Sequence, residues 1–189
     1  MKKLIIAMVF GMSISTVATA QNPKYNNMFK IGINGGVAVP SENVSSEIGF
    51  DIGYQRLIKP GIGIGFTTGY NQYYGQNNKG VQNKDFGVIP LAGQFRYYPK
   101  QQGFYIGTDL GYGFITGDGN VAENSNVALP DGGLYIKPEI GYHNIHWNFA
   151  LQYAKVFTGS AGEIGNQKFE TGILGLGLSY NLPLGKSVD

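Results

Sequence analysis

The sequence predicts an all-β protein whose eight antiparallel strands close into an up-and-down barrel. Three observations support this fold class. Thirty of the 189 residues are glycine, and glycine destabilises a helix interior by about 1 kcal/mol per position. Apolar residues alternate with small or polar residues at a period of two through most of the chain, as in half-buried strands. The connections between the alternating segments are short and long in turn, which is typical of barrels that cross a membrane.

The N-terminal residues have the pattern of a cleaved signal peptide. Two lysines follow the first methionine, an apolar run begins at Leu4, and Ala18 and Ala20 form a small-x-small cleavage pattern. An N-terminal membrane helix is the less favoured alternative, because the apolar run is well short of the ~20 residues that a span needs. We therefore predict a signal peptide over 1–20 and a single barrel domain over 21–189.

Eight segments alternate strongly enough to be strands. In one of them Phe104 and Leu110 share a face, and Gly107 and Asp109 lie on the other. This separation of bulky apolar residues from small or polar ones recurs through the chain. The predicted strands are 28–40, 47–57, 61–74, 84–98, 103–116, 132–143, 145–157 and 168–182.

The connections between these strands alternate in length. In order they are 41–46, 58–60, 75–83, 99–102, 117–131, 144 and 158–167, of which the second, fourth and sixth are tight turns. A soluble sandwich has no reason to sort its connections in this way. A membrane barrel has one, since short turns lie at its periplasmic end and longer loops lie outside.

Side-chain size assigns the two faces of the strands. An eight-stranded barrel has an interior only just wide enough for side chains to fill it, so the small and polar face belongs inside. The bulky apolar face would be an aggregation hazard in water but is the expected surface in lipid. The glycines predicted to point inward are Gly32, Gly36, Gly49, Gly53, Gly63, Gly65, Gly69, Gly107, Gly111, Gly113, Gly141, Gly175 and Gly177.

Charged residues also fall on the predicted inward face, three of each sign. Charges in a narrow lumen are tolerated only when they are paired or hydrogen-bonded. We interpret them as an ionic network that fills the lumen and holds the strands of the barrel together. The alternative is a polar path for small solutes. Water-filled porins use about sixteen strands or more. The six residues are Lys30, Asp51, Arg96, Asp109, Lys137 and Glu139.

Tyrosines cluster near the predicted strand ends, where the aromatic girdles of membrane barrels lie. Ordinary strand propensity is the alternative explanation, since tyrosine is enriched in all sheets. We expect a girdle that comprises Tyr70, Tyr73, Tyr74, Tyr97, Tyr98 and Tyr142.

These features together resemble the outer-membrane β-barrel domain family, the small porin-like eight-stranded proteins of Gram-negative bacteria. The resemblance rests on the signal peptide, the alternating strands and the terminal segment Gly-Ile-Leu-Gly-Leu-Gly-Leu-Ser-Tyr-Asn-Leu at 172–182. It implies a bacterial outer-membrane location, with membrane lipid and lipopolysaccharide as partners and the barrel-assembly machinery acting during insertion. Family members often end on an aromatic residue, whereas this chain continues past Tyr180 to Asp189.

No catalytic or metal site is predicted. The alternating glycines at 61–65 lack the spacing and following helix of a nucleotide-binding loop. The only histidines, His143 and His146, flank a predicted tight turn without an evident third ligand, and we expect both to be exposed. The absence of cysteine excludes disulfides and thiolate sites. A net charge of +2 with scattered basic residues gives no nucleic-acid footprint.

The function expected from the sequence is that of a non-enzymatic, monomeric outer-membrane barrel without a cofactor. Its role would be structural or would lie in surface interactions, with the outward loops as the recognition part. Two alternatives stay open at this stage. One is a narrow porin-like channel for small solutes, and the other is a soluble periplasmic lipocalin-like binding protein.

Overall fold

The computed structural model describes residues 26–184, and the predicted signal peptide lies outside them. Within this range the chain forms ten strands and no helix that is long and apolar enough to cross a membrane. The strands are β1 Asn27–Ala38, β2 Val44–Lys59, β3 Ile62–Gly75, β4 Asn77–Asn78, β5 Val81–Gln82, β6 Phe86–Tyr97, β7 Gly103–Thr116, β8 Gly132–His143, β9 Trp147–Phe157 and β10 Ile173–Leu184.

The eight long strands form a closed antiparallel barrel in the order β1-β10-β9-β8-β7-β6-β3-β2. Closure is made by β1 and β10, which pair from Asn27 opposite Leu184 to Ala38 opposite Ile173. The short strands β4 and β5 form a separate hairpin inside one loop. The predicted eight-stranded antiparallel barrel is therefore confirmed.

The last long strand begins five residues later than the sequence predicted. Thr171 lies just before β10, and its hydroxyl accepts a hydrogen bond from the backbone nitrogen of Val156 at 2.8 Å. The backbone nitrogen of Glu170 donates to the side-chain oxygen of Asn43 at 2.9 Å. These contacts satisfy polar groups of the segment 168–172 outside the sheet ladder, so this segment belongs to a loop.

The connections lie at two different ends of the barrel. The turns 60–61, 98–102 and 144–146 occupy one end, which we call the turn end, together with the outer ends of β1 and β10. The loops 39–43, 76–85, 117–131 and 158–172 occupy the other, the loop end. The predicted alternation in length holds for three of the four loops, whereas the first loop is as short as the middle turn.

Alternation along each strand separates the two faces as predicted. Exposed large apolar side chains occur on all eight barrel strands, while most of the inward positions are buried. Some inward glycines are required by close approach of neighbouring strands. Gly36 lies opposite Gly175, and a Cβ built on Gly36 would lie 2.6 Å from the Cα of Gly175. A side chain there would push β1 away from β10, at the seam that closes the barrel.

The predicted tyrosine girdle is correct only in part. Tyr70, Tyr74 and Tyr142 are exposed on the outer face, but Tyr73 and Tyr98 are buried inside the barrel. The reason is geometric, because successive residues of a strand point to opposite faces. Two adjacent tyrosines therefore cannot both belong to the girdle.

Candidate functional site

The middle of the lumen contains an ionic network centred on Arg96. Its guanidinium contacts Asp109 through Nη1 at 2.7 Å and Glu139 through Nε at 2.6 Å. Nη1 also donates to the backbone carbonyls of Phe95 and Thr108, at 2.9 and 3.0 Å. Only 3% of the Arg96 side chain and none of the Asp109 side chain is exposed. The contacts thus replace water around a fully desolvated charge.

A second cation, Lys137, extends the network toward the loop end. Its ammonium lies 2.9 Å from Asp51 Oδ2 and 3.3 Å from Asp109 Oδ2. Asn34 also donates to Asp51 Oδ2, at 3.0 Å. Asp109 therefore bridges the two cations, and the network joins strands from opposite sides of the barrel.

The register of three neighbouring strands positions these groups. Asp109 on β7 lies directly opposite Lys137 on β8. Arg96 on β6 lies opposite Gly107, which in turn lies opposite Glu139. The space above Gly107 is occupied by the Arg96 side chain, which a Cβ at that position would overlap. Glycine at this position therefore lets the guanidinium cross β7 to reach Glu139.

Five of the six charged residues predicted to face the lumen lie in this network, and Lys30 does not. Lys30 is buried nearer the turn end, where its ammonium donates to the hydroxyl of Tyr98 at 3.1 Å. That hydroxyl donates in turn to Gln55 Oε1 at 3.0 Å. The Lys30 ammonium is thus held by a neutral hydroxyl group.

Sequence reasoning missed a fourth lumenal carboxylate, Glu47. Its side chain is buried, on the inward face of β2 four residues before Asp51. The even spacing along one strand was the available signal, since residues i and i+4 of a strand share a face. The described lumen therefore contains four acidic residues and three basic ones.

The lumen near the loop end is mainly apolar, contrary to the expectation of a small or polar interior along the whole barrel. Tyr73 stacks on Phe86 with ring centroids 5.0 Å apart, and Phe86 packs on Phe169 from the last loop at the same distance. These rings close the top of the lumen above the ionic network. The buried members of this apolar layer are Ala38, Val44, Tyr73, Phe86, Val88, Ala92, Ile115, Val121, Tyr135, Ala154, Val156, Phe169 and Ile173.

The turn end of the lumen is filled by rings. Tyr98 packs on Tyr105 at 5.3 Å and on His143 at 4.5 Å between ring centroids. His143 is buried, with Nε2 3.2 Å from the carbonyl oxygen of Lys100, so the expectation that both histidines are exposed is wrong for this one. His146 is exposed and stacks on Tyr180 at 5.6 Å.

The open space observed between these layers within residues 26–184 is small. A lumenal cavity of about 50 Å³ is lined by four residues of the network and by other lumenal residues, with Lys30 and Tyr105 toward the turn end. A single water needs about 10–15 Å³ of such space, so the cavity has room for a few waters only. No group of three or more His, Cys, Asp or Glu side chains arranged to hold a metal occurs in residues 26–184.

The loops are joined to one another above the apolar layer. Asn124 of the third loop accepts from the backbone of Gln82 at 3.0 Å and donates to the carbonyl of Gly80 at 2.7 Å. Gln167 of the last loop donates to Asn83 Oδ1 at 3.0 Å. The hairpin of β4 and β5 is thereby held to two other loops, and the three together cap the barrel.

No protein-family model and no curated protein matches the sequence. Among solved structures, the outer membrane protein OprG from Pseudomonas aeruginosa is similar, with a TM-score of 0.52 and 17% identity over 86% of this chain and 98% of that one. The fold is that of an outer-membrane β-barrel.

Two further outer-membrane proteins resemble the chain more weakly. Ail from Yersinia pestis has a TM-score of 0.49 and 10% identity, over 84% of this chain and 99% of that one. Neisserial surface protein A has a TM-score of 0.43 and 13% identity, over 82% and 95%.

The Tyr98 hydroxyl provides a test of the lumen at its turn end. We expect Tyr98→Phe to lower the free energy of unfolding by about 1–3 kcal/mol, because the buried Lys30 ammonium would lose its acceptor. Tyr97→Phe is the matched control, since Tyr97 is the adjacent position and points to the other face. The measurement is urea-induced unfolding of the refolded protein in detergent. Equal losses of unfolding free energy in the two variants would contradict the role of the Tyr98 hydroxyl as the acceptor for Lys30.

Proposed function

We propose that this chain is an integral outer-membrane barrel without enzymatic activity, whose role is structural or lies in surface interactions. The observation that carries the proposal is the filled lumen inside an apolar outer surface. A ring layer, an ionic network and an apolar layer follow one another from the turn end to the loop end. The interior therefore acts as a rigid support for the loop cap.

The outer surface supports insertion into lipid. Large apolar side chains are exposed on every barrel strand, for example Ile33, Leu91 and Leu176. Soluble monomers rarely expose contiguous apolar patches beyond about 300–600 Å². Rings lie near the turn end of this surface, where Phe104 packs edge-on against Tyr142. This arrangement fits an aromatic girdle at a membrane interface.

The location and partners follow from this surface as parts of the proposal. The predicted signal peptide over 1–20 would export the chain, and the barrel-assembly machinery would insert it into the bacterial outer membrane. Lipid and lipopolysaccharide would then surround a monomer. The loop cap would remain outside, free to contact other molecules, and nucleic acid has no part in this function.

The two other functions predicted from the sequence are less well supported by the lumen. A narrow channel needs a continuous wet path, whereas buried rings and aliphatic side chains occupy the loop end. A lipocalin-like binder needs an internal pocket of about 300–1,000 Å³, far above the roughly 50 Å³ in this lumen. Neither the channel function nor the binding function explains both the apolar exterior and the filled interior.

Conductance in planar bilayers tests the proposal. We expect the refolded wild-type protein to give no stable single-channel steps, since the apolar layer blocks the lumen. A large porin, added to the same bilayer, serves as the positive control, and insertion is verified by heat-modifiable migration on a gel. Stable steps from the wild type that change size in Val156→Ala would support transport and overturn the proposal.

A further inference from the structure

Three of the buried side-chain oxygens with no hydrogen-bond partner in the described chain lie on the inward face of β2 and β3. They are Oε1 of Glu47, Oδ1 of Asp51 and Oδ1 of Asn71. Glu47 is only 6% exposed and Asn71 only 5%. An unsatisfied buried acceptor costs free energy, and native structures contain few of them. Three on adjacent strands therefore call for an explanation.

The register of β2 and β3 places these oxygens along one stretch of the lumen wall. Asn71 lies opposite Gly49, which stands between Glu47 and Asp51 on β2. The Asn71 oxygen occupies the space that a side chain at Gly49 would fill, so a Cβ there would overlap it. Glycine at this position thus brings the amide oxygen between the two carboxylates.

The charges of the lumen leave one carboxylate without a basic partner. Arg96 is engaged by Asp109 and Glu139, and Lys137 by Asp51 and Asp109. The remaining buried base, Lys30, is held by Tyr98 toward the turn end. With four acidic and three basic residues in the described lumen, Glu47 is the carboxyl group without a basic partner, and its ionised form would leave one negative charge uncompensated. A buried charge of this kind needs a counter-charge or a proton.

We propose that Glu47, Asp51 and Asn71 bind one small monovalent metal cation of the sodium class. Carboxylate and amide oxygens suit hard cations. A single positive charge balances the lumen, and the ammonium of Lys137, already bonded to Asp51, disfavours a doubly charged ion. A proton on Glu47 would provide a single donor and satisfy one of the other acceptors, whereas a cation contacts all three oxygens.

The first test measures how sodium affects stability. The protein, refolded in detergent at mildly alkaline pH, is unfolded by urea in sodium chloride and in N-methylglucamine chloride at equal ionic strength. A ligand that binds only the folded state multiplies the folded-to-unfolded ratio by one plus its concentration over Kd. We expect this ratio to rise about tenfold for each tenfold rise in sodium above Kd. Identical unfolding in the two salts would overturn the proposal.

Two variants show where the cation binds. Glu47→Gln should abolish the sodium dependence, because it keeps the shape of the side chain and removes its charge. Glu123→Gln makes the same chemical change on an exposed loop residue and should keep the dependence. An equal sodium response in both variants would mean general salt stabilisation and would overturn the site. A stabilisation produced by calcium but not by sodium would overturn the proposal that the bound cation carries a single charge.

Sodium-23 relaxation of the wild-type protein keeps the test independent of whether Glu47→Gln folds. We expect the folded barrel to broaden the sodium signal, and excess potassium or heat unfolding to remove part of the broadening. The absence of broadening over empty micelles would overturn the proposal. In that case the Glu47 carboxyl is neutralised by a proton.

Discussion

Replacing Arg96 with methionine lowers the free energy of unfolding by about 3–5 kcal/mol, the cost of leaving buried charges without a partner. Two carboxylates contact this guanidinium, Asp109 at 2.7 Å and Glu139 at 2.6 Å, and Asp109 also contacts Lys137 at 3.3 Å. Both are almost completely withdrawn from solvent. Water cannot solvate these two carboxylates in place of the guanidinium, because the lumenal cavity holds only a few molecules. The measurement is the urea midpoint of the refolded protein in detergent, with heat-modifiable migration as a second readout.

The control variants distinguish the effect of losing the Arg96 charge from the effect of changing the side-chain volume. Arg56→Met makes the same substitution on an exposed position of β2 and should change the midpoint little. Combining Arg96→Met with Asp109→Asn and Glu139→Gln also removes the two carboxylate charges that contact Arg96, and we expect it to recover part of the loss. If the triple variant is no more stable than Arg96→Met, the loss comes from packing around the arginine rather than from the ionic network.

The face of the barrel to which each strand residue points was predictable from the sequence. Which lumenal residues lie opposite one another on neighbouring strands was not. Alternation put Arg96, Asp109 and Glu139 on the inward face, as observed. The strand limits predicted from alternation, 84–98 and 103–116, would pair Arg96 with Tyr105 across the turn. In the structure it lies opposite Gly107. A two-residue slip keeps every side chain on its face, so alternation cannot detect it.

The layering of the lumen was missed for a different reason. Inward positions near the loop end, among them Val88, Ile115 and Val156, have the same period as the polar positions nearer the middle of the strands. Averaging polarity along a strand hides a change of polarity with depth. The ring of Phe169 belongs to a loop and reaches the layer through tertiary packing. That contribution has no periodic signal, because loop residues follow no fixed spacing.

Replacing Leu110 with arginine tests the orientation of the whole barrel, and we expect it to cost about 2–4 kcal/mol in a lipid bilayer. Leu110 points outward at the middle of β7 and is 55% exposed. A charge at the bilayer midplane loses its hydration, whereas one near an interface reaches water and costs about 0–1 kcal/mol. Phe104→Arg is therefore the matched control, at the turn end of the same strand and on the same face.

The comparison between these two variants shows whether water or lipid surrounds the barrel. Both positions are exposed, Phe104 by 73%, so in water both arginines would be tolerated and would improve solubility. Only a hydrocarbon layer around the barrel makes the cost depend on depth. Urea unfolding from lipid vesicles measures the two losses side by side. Equal effects at the two depths would contradict the membrane orientation, because the apolar belt of β7 would then face water along its whole length.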